Sequence, residues 1–317
     1  MELSFAPMEG ITYREYRRLH AGMFPGADRY YAPFIAPDGS GKFKASLLRG
    51  VEPDPDGPPL IPQLLCNRAE SFLAAARELC AMGCTEINLN AGCPSATVVS
   101  KHKGAGMLSD LASLDACLDG IFSHCPVAVS VKTRMGVLST DEFPAILEIY
   151  NKYPISRLII HCRARSGMYK SAPDIEAFRA AMPASAAPVC YNGDIFSPSH
   201  MLALLDAVPV TAMMAGRGAV ADPSLFRRLR GGAPLDAAEL RAFLDALEDA
   251  YLSSGLDGHI VMARLKELWY YMQSLFPGSN RLMKAIYRSQ TLPDYRSAVS
   301  ALFSSGCFSP EEYFHQV

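Results

Sequence analysis

The stretch from residue 88 to residue 106 reads NLNAGCPSATVVSKHKGAG. A short apolar run ends at Asn90, Cys93-Pro94 opens a loop, and Lys101-His102-Lys103 precede the closing Gly104-Ala105-Gly106. A thiol is thus set on a loop whose cations and glycines suit contact with phosphate. Other polar residues that an apolar core does not explain recur at the ends of short apolar runs. They are Pro7-Met8, Gln63, Lys132 with Arg134, His161 with Arg163, Asn192-Gly193-Asp194 and Gly216-Arg217-Gly218. Each has an ordinary reading by itself. Lys132 reads as a solvated strand end, His161 as a hydrogen-bonded core histidine, and Asn192-Gly193-Asp194 as a plain turn. Their recurrence at successive run ends points instead to one constellation. In the last two loops, glycines let backbone N–H groups approach an anion, and Arg217 adds a fixed guanidinium. A phosphorylated ligand is expected there, with Lys132 on the opposite wall meeting its other end.

The elements that must position these residues alternate. Apolar runs at residues 3–6, 30–35, 60–65, 86–89, 127–131, 158–160, 189–191 and 212–215 are separated by amphipathic stretches, among them 69–82, 110–122, 141–152, 198–207 and 223–229. Strand–helix alternation implies a parallel sheet with right-handed crossovers. Eight units in about 230 residues predict an α/β fold, a (β/α)8 TIM barrel, in which all the strand ends named above share one face. A doubly wound sheet would place Gly-x-Gly-x-x-Gly after its first strand, and Ala6-Pro7-Met8-Glu9-Gly10 is not that turn. The alternation stops at Gly231-Gly232-Ala233-Pro234. Residues 236–253, 258–275, 280–289 and 294–303 read as helices. The expected organisation is a barrel over 1–232 followed by a smaller all-helical C-terminal domain over 236–317.

The composition narrows the function. Of 317 residues half are hydrophobic, and the formal net charge is −2. Any nucleic-acid partner must therefore use a local basic patch. From Arg264 to Arg296 there are six Lys or Arg against Glu267 and Asp294, a formal +4, and Arg227, Arg228 and Arg230 precede the junction. Nine scattered cysteines without a Cys-x-x-Cys pair suit reduced thiols, and Cys80 and Cys84 read as small buried residues. The seven histidines form no His-Glu-x-x-His pattern, so no metal is expected. No apolar stretch reaches the roughly 18 residues of a membrane span, and the N-terminus lacks a cationic leader. The expectation is a cytoplasmic protein with no membrane segment.

Ala6-Pro7-Met8-Glu9-Gly10-Ile11-Thr12, Asn90-Ala91-Gly92-Cys93-Pro94-Ser95, Val131-Lys132-Thr133-Arg134-Met135-Gly136, Asn192-Gly193-Asp194-Ile195 and Gly216-Arg217-Gly218-Ala219 together resemble the dihydrouridine synthases, flavoenzymes that reduce uridine in tRNA. The combination of Asn-x-Gly-Cys-Pro with Lys-x-Arg-x-Gly is specific to that family, and the resemblance spans the barrel. It implies FMN as cofactor, NADPH or NADH as transient reductant, and tRNA as partner. It implies that Pro7 and Met8 lie against the isoalloxazine and that Gln63 and Lys132 bond its pyrimidine edge with His161 nearby. Asn192, Gly193, Asp194, Gly216 and Arg217 would hold the phosphate, and Asn90, Arg134 and Tyr169 would lie near the target uracil. By the same resemblance Cys93 is the catalytic acid. A free thiol with its ordinary pKa near 8.5 is mostly protonated at pH 7, so it needs no tuning for that task. The chain departs from the family at His161-Cys162-Arg163-Ala164-Arg165, at Gly167, and at Ser100-Lys101-His102-Lys103.

A target base must leave its stack to reach a barrel mouth. Lys101 and Lys103 are then expected beside its phosphates, unless they are only a solvated charge run. Arg281, Lys284 and Arg288, spaced along one helical face, are the expected RNA contacts of the C-terminal region. Two other readings compete: an FMN-dependent reductase of a free pyrimidine or small enone, which leaves the basic helical region unexplained, and a flavin-containing RNA-binding protein without turnover, which leaves Cys93 and Lys132 unexplained.

Overall fold

The structure, a computed structural model, describes residues 1–38, 43, 45–48 and 50–310. Among the described residues nine short parallel strands form one sheet: β1 (Glu2–Phe5), β2 (Arg29–Tyr31), β3 (Leu60–Ile61), β4 (Gln63–Leu64), β5 (Glu86–Ala91), β6 (Ala128–Arg134), β7 (Leu158–His161), β8 (Val189–Asn192) and β9 (Ala212–Ala215). Their order in the sheet is β3-β2-β1-β9-β8-β7-β6-β5-β4. β3 and β4 are halves of one extended stretch, divided by Pro62, which has no N–H for the ladder. The Pro62 carbonyl still accepts from Asn88 N–H at 2.9 Å. β3 pairs with β2 and β4 with β5. Eight staves therefore close into the (β/α)8 barrel that the alternation predicted, and a helical C-terminal region follows it.

Several strands run beyond their apolar stretches. β5 continues to Ala91 and β6 to Arg134, while β7 and β8 include His161 and Asn192. Asn90, Lys132, Arg134, His161 and Asn192 thus lie on strands, where the sequence reading put them just after. The ladder needs only backbone groups, so a polar side chain facing the barrel interior does not end it. Register pairs Gln63 with Asn88, Asn88 with Ser130, Asn90 with Lys132, Arg134 with His161, and His161 with Asn192.

The chain forms two compact units. The first comprises Met1–Pro7, Asp28–Asp194 and Ala203–Met214, and holds the barrel. Two of its crossover helices begin at side-chain caps. Asp110 accepts from Ser113 N–H at 3.1 Å before helix Leu111–His124, and Asp174 accepts from Ala177 N–H at 2.9 Å before Ile175–Ala184. Each cap satisfies an orphan donor of the first turn. Ala6, Tyr31, Ile61, Ile159, Cys190, Ala212 and Met214 form a buried cluster within the barrel.

The second unit comprises Met8–Ala27, Ile195–Leu202 and Ala215–Val317. Its main helices are Arg14–Met23, Ala237–Ser253, Gly258–Met272, Asn280–Arg288 and Leu292–Phe303. Asp236 and Glu239 make a capping box at the start of Ala237–Ser253. Aromatic rings fill the centre: Phe243 meets Tyr16 at 5.4 Å and Phe24 at 5.3 Å, edge to face. Trp269, fully buried, donates from Nε1 to the Tyr295 hydroxyl at 2.9 Å. Gly26, at φ +135°, passes so close to Phe226 that a Cβ there would lie 2.7 Å from the Phe226 carbonyl carbon.

Candidate active site

Within the first unit, the inward positions of β4, β5 and β6 are polar. Gln63 donates from Nε2 to Asn88 Oδ1 at 2.7 Å, and Asn88 donates from Nδ2 to Ser130 Oγ at 3.0 Å. Asn90, two residues along β5, donates from Nδ2 to Gln63 Oε1 at 2.8 Å. Its own Oδ1 accepts from Gly92 N–H at 3.0 Å and from Cys93 N–H at 2.9 Å. The strand end thus bends around one side-chain carbonyl, an Asx-type turn that sets the backbone of Cys93. Arg134 closes the turn from β6, donating from Nε to the Gly92 carbonyl at 3.2 Å. Gly92 suits the crowding, since a Cβ there would lie 3.2 Å from the Thr133 carbonyl carbon.

The Cys93 loop is built rather than slack. Ala105 N–H donates to the Cys93 carbonyl at 3.0 Å. Gly104 sits at φ +56°, and a Cβ on it would lie 2.8 Å from that same carbonyl oxygen, a position that requires glycine. Gly104, Ala105, Gly106, Met107 and Leu108 are buried, Cys93 is half-buried, and Lys101 and His102 are exposed. Lys103 is half-buried. The Lys101 carbonyl accepts from Asn67 Nδ2 at 3.2 Å, and His102 takes the left-handed φ of 52°.

Lys132 is half-buried in the barrel, and among the described residues it makes no hydrogen bond or ion pair with protein. Burial first, and the neighbouring Arg134 charge second, pull its pKa down to about 8. Such a lysine is an ammonium short of an anion. Arg134 is held by the carbonyls of Ala164 (3.0 Å) and Met168 (2.8 Å) and lies over the Tyr169 ring at 5.1 Å. His161 meets Tyr169 edge-on, with ring centroids 5.8 Å apart. Asn90, Lys132, Arg134, His161, Tyr169 and the Cys93 turn are therefore joined by direct bonds, ring contacts or strand register.

Arg163 pairs through both terminal nitrogens with the Asp194 carboxylate, and its Nε donates to the Ser171 carbonyl at 2.6 Å. Asn192 donates from Nδ2 to the Met214 carbonyl at 2.8 Å. Gly193 is pressed on Tyr191, whose hydroxyl would lie 2.1 Å from an added Cβ. Burial pushes the barrel thiols up, Cys190 to about 12 and Cys162 well above its ordinary value, which leaves them protonated.

In the second unit, Met8 N–H donates to Thr12 Oγ1 at 2.9 Å, and its carbonyl accepts from Ile11 and Thr12. Gly216 precedes the short helix Arg217–Ala221, and the Arg217 guanidinium lies over the Phe196 ring at 5.6 Å. Along helix Asn280–Arg288 the side chains Met283 and Ile286 are buried while Arg281, Lys284 and Arg288 are exposed. Lys266 donates to the carbonyls of Tyr287 (3.1 Å) and Ser289 (2.6 Å) at that helix's C-terminal end, where a cation complements the dipole.

The sequence reading missed Asn88 and Ser130, which it counted within apolar runs. A polar residue two places before Asn90 on the same strand was the available signal, since positions i and i+2 share a face. Pro7 is half-buried at the end of the first unit's leading segment. Among the described residues no group of three or more His, Cys, Asp or Glu could hold a metal ion. No described helix is long and apolar enough to cross a membrane.

The family model "Dihydrouridine synthase (Dus)" matches residues 4–281. The tRNA-dihydrouridine synthase B of Pseudomonas putida is 30% identical over 279 residues, covering 84% of this chain and 82% of the relative. That of Yersinia pestis is 31% identical over 257 residues, covering 80% and 78%. Among solved structures, histamine dehydrogenase from Rhizobium sp. 4-9 superposes with a TM-score of 0.58 at 10% identity, covering 84% of this chain and 49% of that one. A 2-naphthoyl-CoA reductase complex gives 0.55 at 14% identity, covering 73% and 50%. At such identities these two share the fold alone.

Proposed function

Because this chain belongs to the dihydrouridine synthase family, we propose that it reduces uridine to 5,6-dihydrouridine in tRNA, with FMN as cofactor and NADPH or NADH as reductant. The observation that carries the chemistry is the clamped Cys93 turn, held from one side by Asn90 and from the other by Arg134. That arrangement supports a thiol presented at a fixed place. Lys132 fits an anionic flavin, since a cation in the barrel with no hydrogen-bond or ion-pair partner among the described residues gains from a negative ring. Gln63, whose wholly buried amide bonds Asn88 and Asn90, is assigned to the pyrimidine edge on the family resemblance.

When bound in its reduced form, FMN would supply the hydride for carbon 6 of uracil. The chain's residues supply the rest. Cys93 Sγ–H gives its proton to carbon 5. Lys132 offsets negative charge on the cofactor ring, and His161 stands beside it. Arg134 and Tyr169 bound the space for the base together with Asn90. Asn192, Gly193 and Asp194 are assigned the phosphate through backbone groups, with the Asp194 carboxylate neutralised by Arg163. Arg281, Lys284 and Arg288 are assigned to RNA phosphates, as are Lys101 and Lys103.

The deciding experiment maps dihydrouridine in RNA from a strain lacking this gene, complemented with the wild type or with Cys93→Ala. Loss of a specific dihydrouridine, restored only by the wild type, is expected. An unchanged RNA profile would overturn the RNA reading and favour a small enone substrate.

A further inference from the structure

Backbone N–H groups can only donate. Gly92 and Cys93 both direct theirs at Asn90, so the side-chain atom they meet must be oxygen, at 3.0 and 2.9 Å. The other end of the Asn90 amide is therefore its amino group, and the Gln63 atom it meets at 2.8 Å must be oxygen. The Gln63 amino group then faces Asn88 Oδ1 at 2.7 Å, and the Asn88 amino group meets Ser130 Oγ at 3.0 Å. Turning over any one amide would set N–H against N–H or oxygen against oxygen. Gln63, Asn88 and Ser130 have 0% exposure, so water cannot stand in for a lost partner. All three are register neighbours on adjacent strands, which places their side chains on one face.

We propose that Asn88 is a positioning residue: through this chain of hydrogen bonds, whose polarity is set at the Cys93 turn, it fixes the Gln63 amide and, through Asn90, the backbone that carries Cys93. The proposal rests on the flavin reading for what Gln63 meets. Its action on the Cys93 turn does not. Without Asn88, the Gln63 amino group loses its acceptor, and the Asn90 amide alone holds the Gln63 oxygen. Asn90 is then less firmly held against the two backbone donors, and the turn loosens.

The test uses the full-length protein as Asn88→Leu, Asn88→Asp and Ser130→Ala. Two quantities are read: the FMN Kd with the visible spectrum of bound FMN, and the rate at which iodoacetamide alkylates Cys93 in protein without flavin, followed on its peptide by mass spectrometry. Asn88→Leu is expected to raise the FMN Kd about three- to tenfold, the size of one lost hydrogen bond, to shift the spectrum, and to speed alkylation by a similar factor. Asn88→Asp should recover most of both. Its carboxylate accepts from Gln63, and the Ser130 hydroxyl can turn to donate. Ser130→Ala should move both readouts the same way by less, and it decides the matter if Asn88→Leu does not fold. A folded Asn88→Leu, or in its place Ser130→Ala, with wild-type Kd, spectrum and alkylation rate would overturn the proposal. Wild-type protein that binds no FMN would overturn the flavin reading instead, and alkylation alone would then judge the chain of bonds.

Discussion

Arg163 grips Asp194 with both terminal nitrogens of its guanidinium, and its side chain is 1% exposed against 28% for the carboxylate. The same guanidinium holds the Ser171 carbonyl through Nε. One residue thus ties the segment after β7 to the end of β8. It also explains how an aspartate can stand in a loop assigned to phosphate, since its charge is already balanced.

Arg163→Ala should cost about 2–3 kcal/mol, because it removes the two-pronged guanidinium partner of a partly buried carboxylate and the Nε donor to the Ser171 carbonyl. Arg163→Lys should recover only part, having no fork to match both oxygens. Urea unfolding of the single and double alanine variants at Arg163 and Asp194 gives the coupling directly. Additive losses would show that the pair contributes nothing beyond its separate parts.

Lys132 should trade stability for function. Its folded pKa lies near 8, below the ordinary 10.5. Below pH 8 it is charged in both folded and unfolded chains, and the cost of burying the charge is carried in full. Between pH 8 and 10.5 only the unfolded chain holds the proton, so stability from this group rises with pH. Lys132→Met should therefore stabilise the flavin-free protein at pH 7 by on the order of 2–3 kcal/mol. The margin should fade as pH rises toward 10.5, while FMN binding weakens. Urea unfolding at pH 7 and pH 10 checks the sign, and a margin that grows with pH would contradict it.

Cys93→Ala should still take reducing equivalents from NADPH onto the flavin, since that half-reaction needs no proton from the thiol. Transfer to RNA should slow by about 10²–10⁴-fold, the usual contribution of one general acid. Stopped-flow reoxidation of reduced protein by tRNA reads this step. A wild-type rate would exclude Cys93 as the proton donor.

The barrel was legible because its strands are short apolar runs at regular spacing and its helices keep their own period. Pro198–Ala207 was read to the residue, and Ala69–Ala81 to within one at its C-terminal end. Strand ends were less legible. Apolar character stops at Leu89 and Val131, but the ladder runs on through Asn90 and Lys132, because inward polar side chains leave backbone pairing intact. The residues that meet at the Cys93 turn could be named from the sequence. What they do to one another could not, because Asn90 and Gln63 are 27 positions apart and only register brings them into contact.

The helix Asn280–Arg288 offers the sharpest test of an RNA surface. Its buried side chains are Met283 and Ile286, while Arg281, Lys284 and Arg288 are exposed and, among the described residues, make no ion pair. Their charge is thus available to a partner rather than spent within the fold. Replacing all three by alanine should leave the melting temperature within a degree or two, since exposed sites away from special features change stability little and alanine suits a helix. If each meets a phosphate, the slope of log affinity against log salt should flatten by about 0.7–0.9 per lost contact. Fluorescence anisotropy with labelled tRNA across a salt series measures this, and the flavin spectrum shows that the barrel is intact. A flattening near two units or more would assign the face to RNA. An unchanged slope with unchanged affinity would remove this helix from the binding surface and shift attention to Lys101 and Lys103.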